Sequence, residues 1–376
     1  MIKNEKTFIC YIKILTKCLS LRFENLQIMN NTKLFFLLLI IWVLPVQKSE
    51  SQQARFGLVA FYNVENLYDT IKCEIANDAE FLPNAPKRWN SQKYFEQIDH
   101  LSEVISKLGH HENLQGSAAI IGLCEVENRS VLEDLVQSKH INHLNYRIIH
   151  FDSPDLRGMD VALLYQPRYF RVTNARAVPL LIYDQKNNYR IFTRDQLVVS
   201  GDFDGEPMHF IVNHWPSRRS DVPNGWLRNE AAKLTRSLVD SIINIDKNAK
   251  IIVMGDLNDD PTDESVSIYL NAKSNQKKLK PNQMFNPMGN LFKKGVGSLA
   301  YQDRWNLFDQ IILTQSFLDK QQYGYRYHSV RVFNDPFLRE TDGRFKGYPK
   351  RTYVGNEYKG GYSDHFPVYI VLVKKM

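Results

Sequence analysis

The chain has 376 residues, 43% hydrophobic and 24% charged, proportions that exclude a disordered, collagen-like or coiled-coil protein. Its formal charge of +7 by itself suggests a nucleic-acid or anionic-membrane partner, but seven basic and three acidic residues fall in positions 1–50, so the rest carries only +3. Four scattered cysteines (Cys10, Cys18, Cys73, Cys124) form neither a disulfide framework nor a zinc-type spacing.

In chain order, the first feature is LFFLLLIIWVLPV at positions 34–46, thirteen apolar residues behind Lys33. That run is short for a bilayer span and suits the core of a secretory signal. Met29 lies just upstream as a candidate start, and cleavage is expected between Gln47 and Ala54. Residues 1–54 are read as an upstream extension plus signal, and 55–376 as one catalytic domain. The expected location is secreted, periplasmic or cell-envelope, with an uncleaved anchored form as the alternative.

Short β-branched apolar runs then predict strands over 58–64, 118–126, 146–151, 161–165, 209–213, 250–254, 310–314 and 368–373. Three-to-four spacing predicts helices over 94–108, 229–243 and 261–270, and Ser130 with Glu133 spells a capping box for another. Mixing hairpins with helical crossovers points to an α/β sandwich of mixed sheets. Two Gly-, Pro-, Lys- and Tyr-rich stretches, about 272–306 and 334–362, read as binding loops.

Six of these runs end in acidic, amide or imidazole groups: FYNVEN at 61–66, GLCEVEN at 122–128, NHWPSRR at 213–219, GDLN at 255–258, LFDQ at 307–310 and YSDHFP at 362–367. Such groups delivered to one rim make a hard, oxygen-rich site for Mg²⁺, Mn²⁺ or Ca²⁺. Singly, several have ordinary structural readings. Asn63 and Asn258 suit turns, Asp259, Asp260 and Thr262 suit a turn and helix cap, and Glu127 is ambiguous. His209 and His328 read as structural, His110–His111 as a solvated pair, and Cys124 as a small apolar packer.

The order and spelling of the six elements, over about residues 56–373, resemble the endonuclease/exonuclease/phosphatase superfamily, in a bacterial secreted or envelope branch. The resemblance implies a deoxyribonuclease-I-like fold, a four-layer sandwich of two mixed β-sheets flanked by helices. It implies Glu125, Asn63, Glu65 and Asp364 around the metal, although Cys124 stands where the family has Gln. It also implies Asp256 orienting or deprotonating the attacking water, Asn258 donating to a phosphoryl oxygen, His365 binding phosphate or moving a proton with Asp309 behind it, and His214 as a second active-site imidazole.

Arg157, Arg194, Arg218, Arg219 and Arg351 are candidate phosphate contacts. Basic residues alternate with rings from Arg339 to Tyr362, as on a single-stranded nucleic-acid surface; the competing reading is a loop pinned by its own tyrosines. The expectation is a divalent-metal-dependent phosphodiesterase, a secreted nuclease acting through an Asp/His-activated water as a monomer. The alternatives are an enzyme for small or lipid phosphoesters, such as a phosphoinositide or sphingomyelin headgroup, and a catalytically silent binding protein.

Overall fold

The computed structural model describes residues 54–375 apart from 74–76, 78, 113, 115–116, 185, 219–224, 320 and 322. The predicted leader and Arg219 therefore lie outside the described residues. In chain order the principal elements are β1 (Ala54–Leu67), α1 (Ser91–Lys107), β2 (Ile120–Val126), α2 (Arg129–Gln137), β3 (Arg147–His150), β4 (Asp160–Tyr165) and β5 (Phe170–Val178). They continue with β6 (Gln196–Phe203), β7 (Glu206–His214), α3 (Trp226–Ile245), β8 (Lys250–Asp256), β9 (Ala272–Lys273), β10 (Met284–Phe285), α4 (Met288–Phe292), β11 (Asp309–Leu313), β12 (Arg326–Val332) and β13 (Val368–Lys375).

Two mixed sheets result. One runs β12-β13-β1-β2-β4-β3 and the other β9-β10-β11-β8-β7-β6-β5. Each contains a parallel pair joined by a helix, β1-α1-β2 and β7-α3-β8, and antiparallel neighbours flank each pair. The strands face one another across the interior, β1 against β8 and β11, and β2 and β4 against β7. The expected sandwich of two mixed sheets flanked by helices is what the chain forms.

Strand β8 shows why its sequence is apolar throughout. Ile252 and Met254 enter the core between the sheets, while Ile251 and Val253 pack with Leu227, Ala231, Leu238 and Val239 of α3. A period-2 strand buried on both faces has no position left for a polar residue until its end. The two sheets approach closely at Gly122, where an added Cβ would stand 2.7 Å from Met254 Sδ.

Two helix predictions needed correction. The start of α2 is capped by Asn128, whose side chain accepts from Val131 N–H, so the cap precedes Ser130 by two residues. The expected helix over 261–270 shrinks to one wide turn over Ser265–Tyr269, closed by Leu270 N–H to Ser265 O.

Candidate active site

The site lies at the carboxyl ends of both parallel pairs, where open sheets leave strand-end groups without a successor strand to cover them. Within the second sheet Asp256 stands in register with His214 on one side and Asp309 on the other. Continuing the alternation that points Ile252 and Met254 inward, these three side chains face the first sheet. The turn before β13 supplies Asp364 and His365, and β13 is antiparallel to β1.

The first sheet reaches the site through irregularities. The β1/β2 register shifts between Asn63 and Leu67, and the β2/β4 register shifts between Cys124 and Val126. Glu65, Asn66 and Glu125 take positive φ values of 50°, 52° and 62°. For residues with a Cβ this costs on the order of 1–3 kcal/mol each, and bulges of this kind re-aim side chains beside active sites. Glu125 is thereby turned until Oε1 lies 3.9 Å from His214 Nε2, with Oε2 taking Asn66 N–H at 3.0 Å.

Asp256 is the hub. Its Oδ2 accepts from Asn63 Nδ2 at 3.1 Å and lies 3.8 Å from His214 Nε2, while Oδ1 accepts from Asn258 N–H at 2.9 Å. Burial, with the charges of Asp309 and Glu125, pushes its pKa to about 7 against the opposing charge on His365. Asp309 is fully buried and its Oδ2 lies 2.7 Å from His365 Nδ1. Burial opposes a charge on His365, but Asp309, Asp364 and Asp256 outweigh it and hold the ring's pKa well above the ordinary histidine value. His214 is the opposite case. Burial, with Arg194 and Arg157 nearby, keeps it well below that value, so it is a neutral imidazole. The site thus holds one charged ring and one neutral ring.

Several expected roles change. Glu65 does not join this cluster: its Oε2 accepts from Thr352 N–H at 2.6 Å, and burial together with Asp364 raises its pKa well above the ordinary carboxylate value. Through Oε2 it anchors the 350–364 loop. Asp364 lies beside it, with Oδ2 3.2 Å from Arg351 Nη2. Asn258 turns its Nδ2 to Trp215 O at 3.0 Å.

Arg194 is a correction to the phosphate-binding set. It is buried, with Nη1 on Asp155 Oδ2 at 3.0 Å, Nε on His214 O at 3.1 Å and Nη2 on Trp215 O at 2.7 Å. Arg218 is likewise engaged by Asp260 and Asp263 and by Asn258 O. Arg157 is half exposed, and Glu125 and Asp155 raise its pKa despite its desolvation, so it and Arg351 are the expected arginines that face the site from the described residues. Sequence reasoning missed Asp155, which holds both Arg194 and the Arg157 backbone N–H. Its spacing from Arg157 was visible, but nothing local distinguished it from a loop aspartate.

The rings of the 339–362 segment are largely used within the protein. Tyr353 packs on Trp89 and Phe81, Tyr358 bonds Glu96, Tyr362 bonds Glu103, and Tyr348 bonds Asp303 and packs on Trp305. The loop is pinned by its tyrosines, and Phe345 remains exposed.

The donor set fits a hard divalent cation. Glu125 Oε1 and Asp256 Oδ2 both lie within 4 Å of the neutral His214 Nε2, and Asp309 Oδ1 is buried with no partner. Carboxylate oxygens without thiolates suit Mg²⁺ or Mn²⁺.

A family model described as the endonuclease/exonuclease/phosphatase family matches residues 58–374. Among solved structures, an endonuclease/exonuclease/phosphatase family protein from Bacteroides thetaiotaomicron is 17% identical, with a TM-score of 0.52 over 86% of this chain and 97% of that one. A humanized TDP2 from D. rerio is 14% identical, with a TM-score of 0.50 over 84% and 98%. At these identities the solved structures bear on the fold alone. Comparison with curated proteins gives no match.

Proposed function

The chain belongs to the endonuclease/exonuclease/phosphatase family and is a phosphoester hydrolase; we propose that it is a divalent-metal-dependent phosphodiesterase whose substrate is a nucleic acid. The observation that carries the hydrolytic reading is the buried Asp309–His365 pair, 2.7 Å apart, set beside Asp256, and the arginines beside it, Arg157 near Glu125 and Arg351 on Asp364, favour a polyanionic substrate. Hydrolysis of a phosphodiester needs a positioned water, donors for the equatorial oxygens, and help for the leaving oxygen. Asp256, poised near neutrality, orients the water and receives its proton. His365, held charged by Asp309, donates to a phosphoryl oxygen. Neutral His214 offers Nε2 between Glu125 and Asp256. Glu125 and Asn63 are the residues that would hold the cation, which when bound neutralises phosphoryl charge and assists the leaving oxygen.

A second reading, hydrolysis of a small or lipid phosphoester, is favoured by a specific observation. Arg194, Arg218 and the tyrosines of the 339–362 segment make their contacts inside the fold, which leaves less surface for tracking a polynucleotide. Purified protein with Mg²⁺ or Mn²⁺ would be assayed on plasmid, RNA, bis-p-nitrophenyl phosphate, phosphomonoesters and phospholipid headgroups. Cleavage of the nucleic acids is expected, with His365→Ala and Asp256→Ala each reducing kcat by at least about 10²–10⁴-fold while the fold is retained. Turnover confined to monoesters or lipids would favour the second reading, and wild-type rates in either variant would refute the site. Export directed by residues 34–46 is part of the proposal, tested by N-terminal sequencing of protein recovered outside the cytoplasm.

A further inference from the structure

Outside the active site, His110 and His111 follow the end of α1 on the turn His110–Glu112. Their rings stack 4.1 Å apart over Phe333. Both present Nε2 to Asp335: His110 at 3.2 Å from Oδ2 and His111 at 2.5 Å from Oδ1. The pair is therefore not simply solvated, as its sequence suggested. Neighbouring charges are engaged elsewhere. Lys107 pairs with Glu103 and lies over Phe337, and Glu112 takes Arg331 and the Tyr369 hydroxyl.

The proton inventory is what makes this cluster informative. His110 Nδ1 is 2.5 Å from Lys107 O, and a carbonyl only accepts, so Nδ1 carries the proton. In the neutral ring Nε2 is then a bare lone pair facing another acceptor, Asp335 Oδ2. That contact repels unless a cation or a second ring proton lies there. An Nδ1–H donated to a backbone carbonyl is also the outer contact that metal-binding histidines make.

We propose that His110, His111 and Asp335 form a second metal site, for a zinc-type transition dication, separate from the active site. Zinc bonds near 2.0–2.2 Å put tetrahedral ligand atoms about 3.3 Å apart, and His110 and Asp335 stand at 3.2 Å. His111 Nε2, now 2.5 Å from Asp335 Oδ1, reaches the same spacing by moving outward about 0.8 Å, and all three ligand atoms already lie within 4.8 Å of one another, with the exposed side left to water as a fourth ligand. Two imidazoles with one carboxylate select such an ion over Mg²⁺. The group formed by His150, Asp152 and Asp160 differs. His150 Nε2 meets Asp160 Oδ2 at 2.9 Å and Ser153 satisfies Oδ1, so that group is complete without an ion. A metal at His110, His111 and Asp335 ties the end of α1 to the segment leading into the loop that carries Arg351 and Thr352.

The test uses full-length Glu125→Gln protein in excess Mg²⁺, titrated with Zn²⁺ against a chromogenic chelator and followed by thermal unfolding. One equivalent bound at this site and a raised Tm are expected. Adding His110→Ala or Asp335→Asn should weaken that binding at least about tenfold and abolish the Tm shift, with the far-UV spectrum unchanged. Equal Zn²⁺ binding and stabilisation in these variants would overturn the site. So would a parent protein that ignores Zn²⁺ while its His110 ring titrates as an imidazolium, which would make the cluster an ion pair only.

Discussion

Asp309 Oδ2, 2.7 Å from His365 Nδ1, governs when that ring loses its proton. With its folded pKa raised above the unfolded value, the charged ring contributes stability that is complete below about pH 6.5 and is lost as pH rises through the folded value. Asp309→Asn removes the charge that raises it, so the alkaline limb of the pH–rate profile should move to lower pH, with kcat down about 10²–10⁴-fold; an unmoved limb would count against the pair. Arg194 makes a stability prediction of the same scale. Arg194→Met takes the buried guanidinium from Asp155 Oδ2, leaving that carboxylate the more distant, half-exposed Arg157 at 3.7 Å as its counter-charge, and frees the His214 and Trp215 carbonyls. The expected loss is about 3–5 kcal/mol by urea denaturation, and a loss below about 1 kcal/mol would contradict the clamp. Asp309 and His365 were legible in sequence through the spelling around each. Arg194 was not, because an arginine on a rim and one buried under a histidine carbonyl have the same local sequence.

At the scale of elements, strands buried on both faces were legible because burial forces continuous apolar residues, as in Ile251–Met254 of β8. Strands β5, β6 and β12 were missed, with the two-residue β9 and β10. In β5 and β12 exposed Arg, Asn or His alternate with apolar residues at sheet edges, which weakens the run that marks a strand, and in the buried β6 the Leu197–Val199 run is cut short by Ser200, Gly201 and Asp202. Facing glycine and methionine could not be read at all, since only the approach of the two sheets would set a Cβ at Gly122 2.7 Å from Met254 Sδ. Gly122→Ala should cost about 1–3 kcal/mol by crowding Met254 Sδ, and Met254→Ala about 2–5 kcal/mol by opening a cavity. In a double-mutant cycle the pair should cost clearly less than the sum; strict additivity would show that the contact does not limit sheet separation.

Over the whole molecule, strand ends from both sheets bring Glu125, His214, Asp256, Asp309 and His365 to one edge and concentrate carboxylates there. A cation that binds this edge only when it is assembled should stabilise the fold by mass action, about 2.7 kcal/mol at 100 times its Kd. Mg²⁺ is therefore expected to raise Tm in wild type but not in Glu125→Gln, and an equal rise in both would place the ion elsewhere. The net charge, concentrated in residues 1–50, bears little on substrate; the placement of Arg157 and Arg351 bears more. What the sequence determined by itself was the alternation of strands and helices and the residue types that end the strands, because hydrophobic period and strand-end chemistry are local. The tertiary structure alone decided which of those residues meet: that Glu65 anchors a loop, that Arg194 braces a histidine, and that His110 and His111 converge on Asp335. Charge, desolvation and hydrogen bonding act between groups far apart in sequence, and the register and facing of the two sheets set those distances.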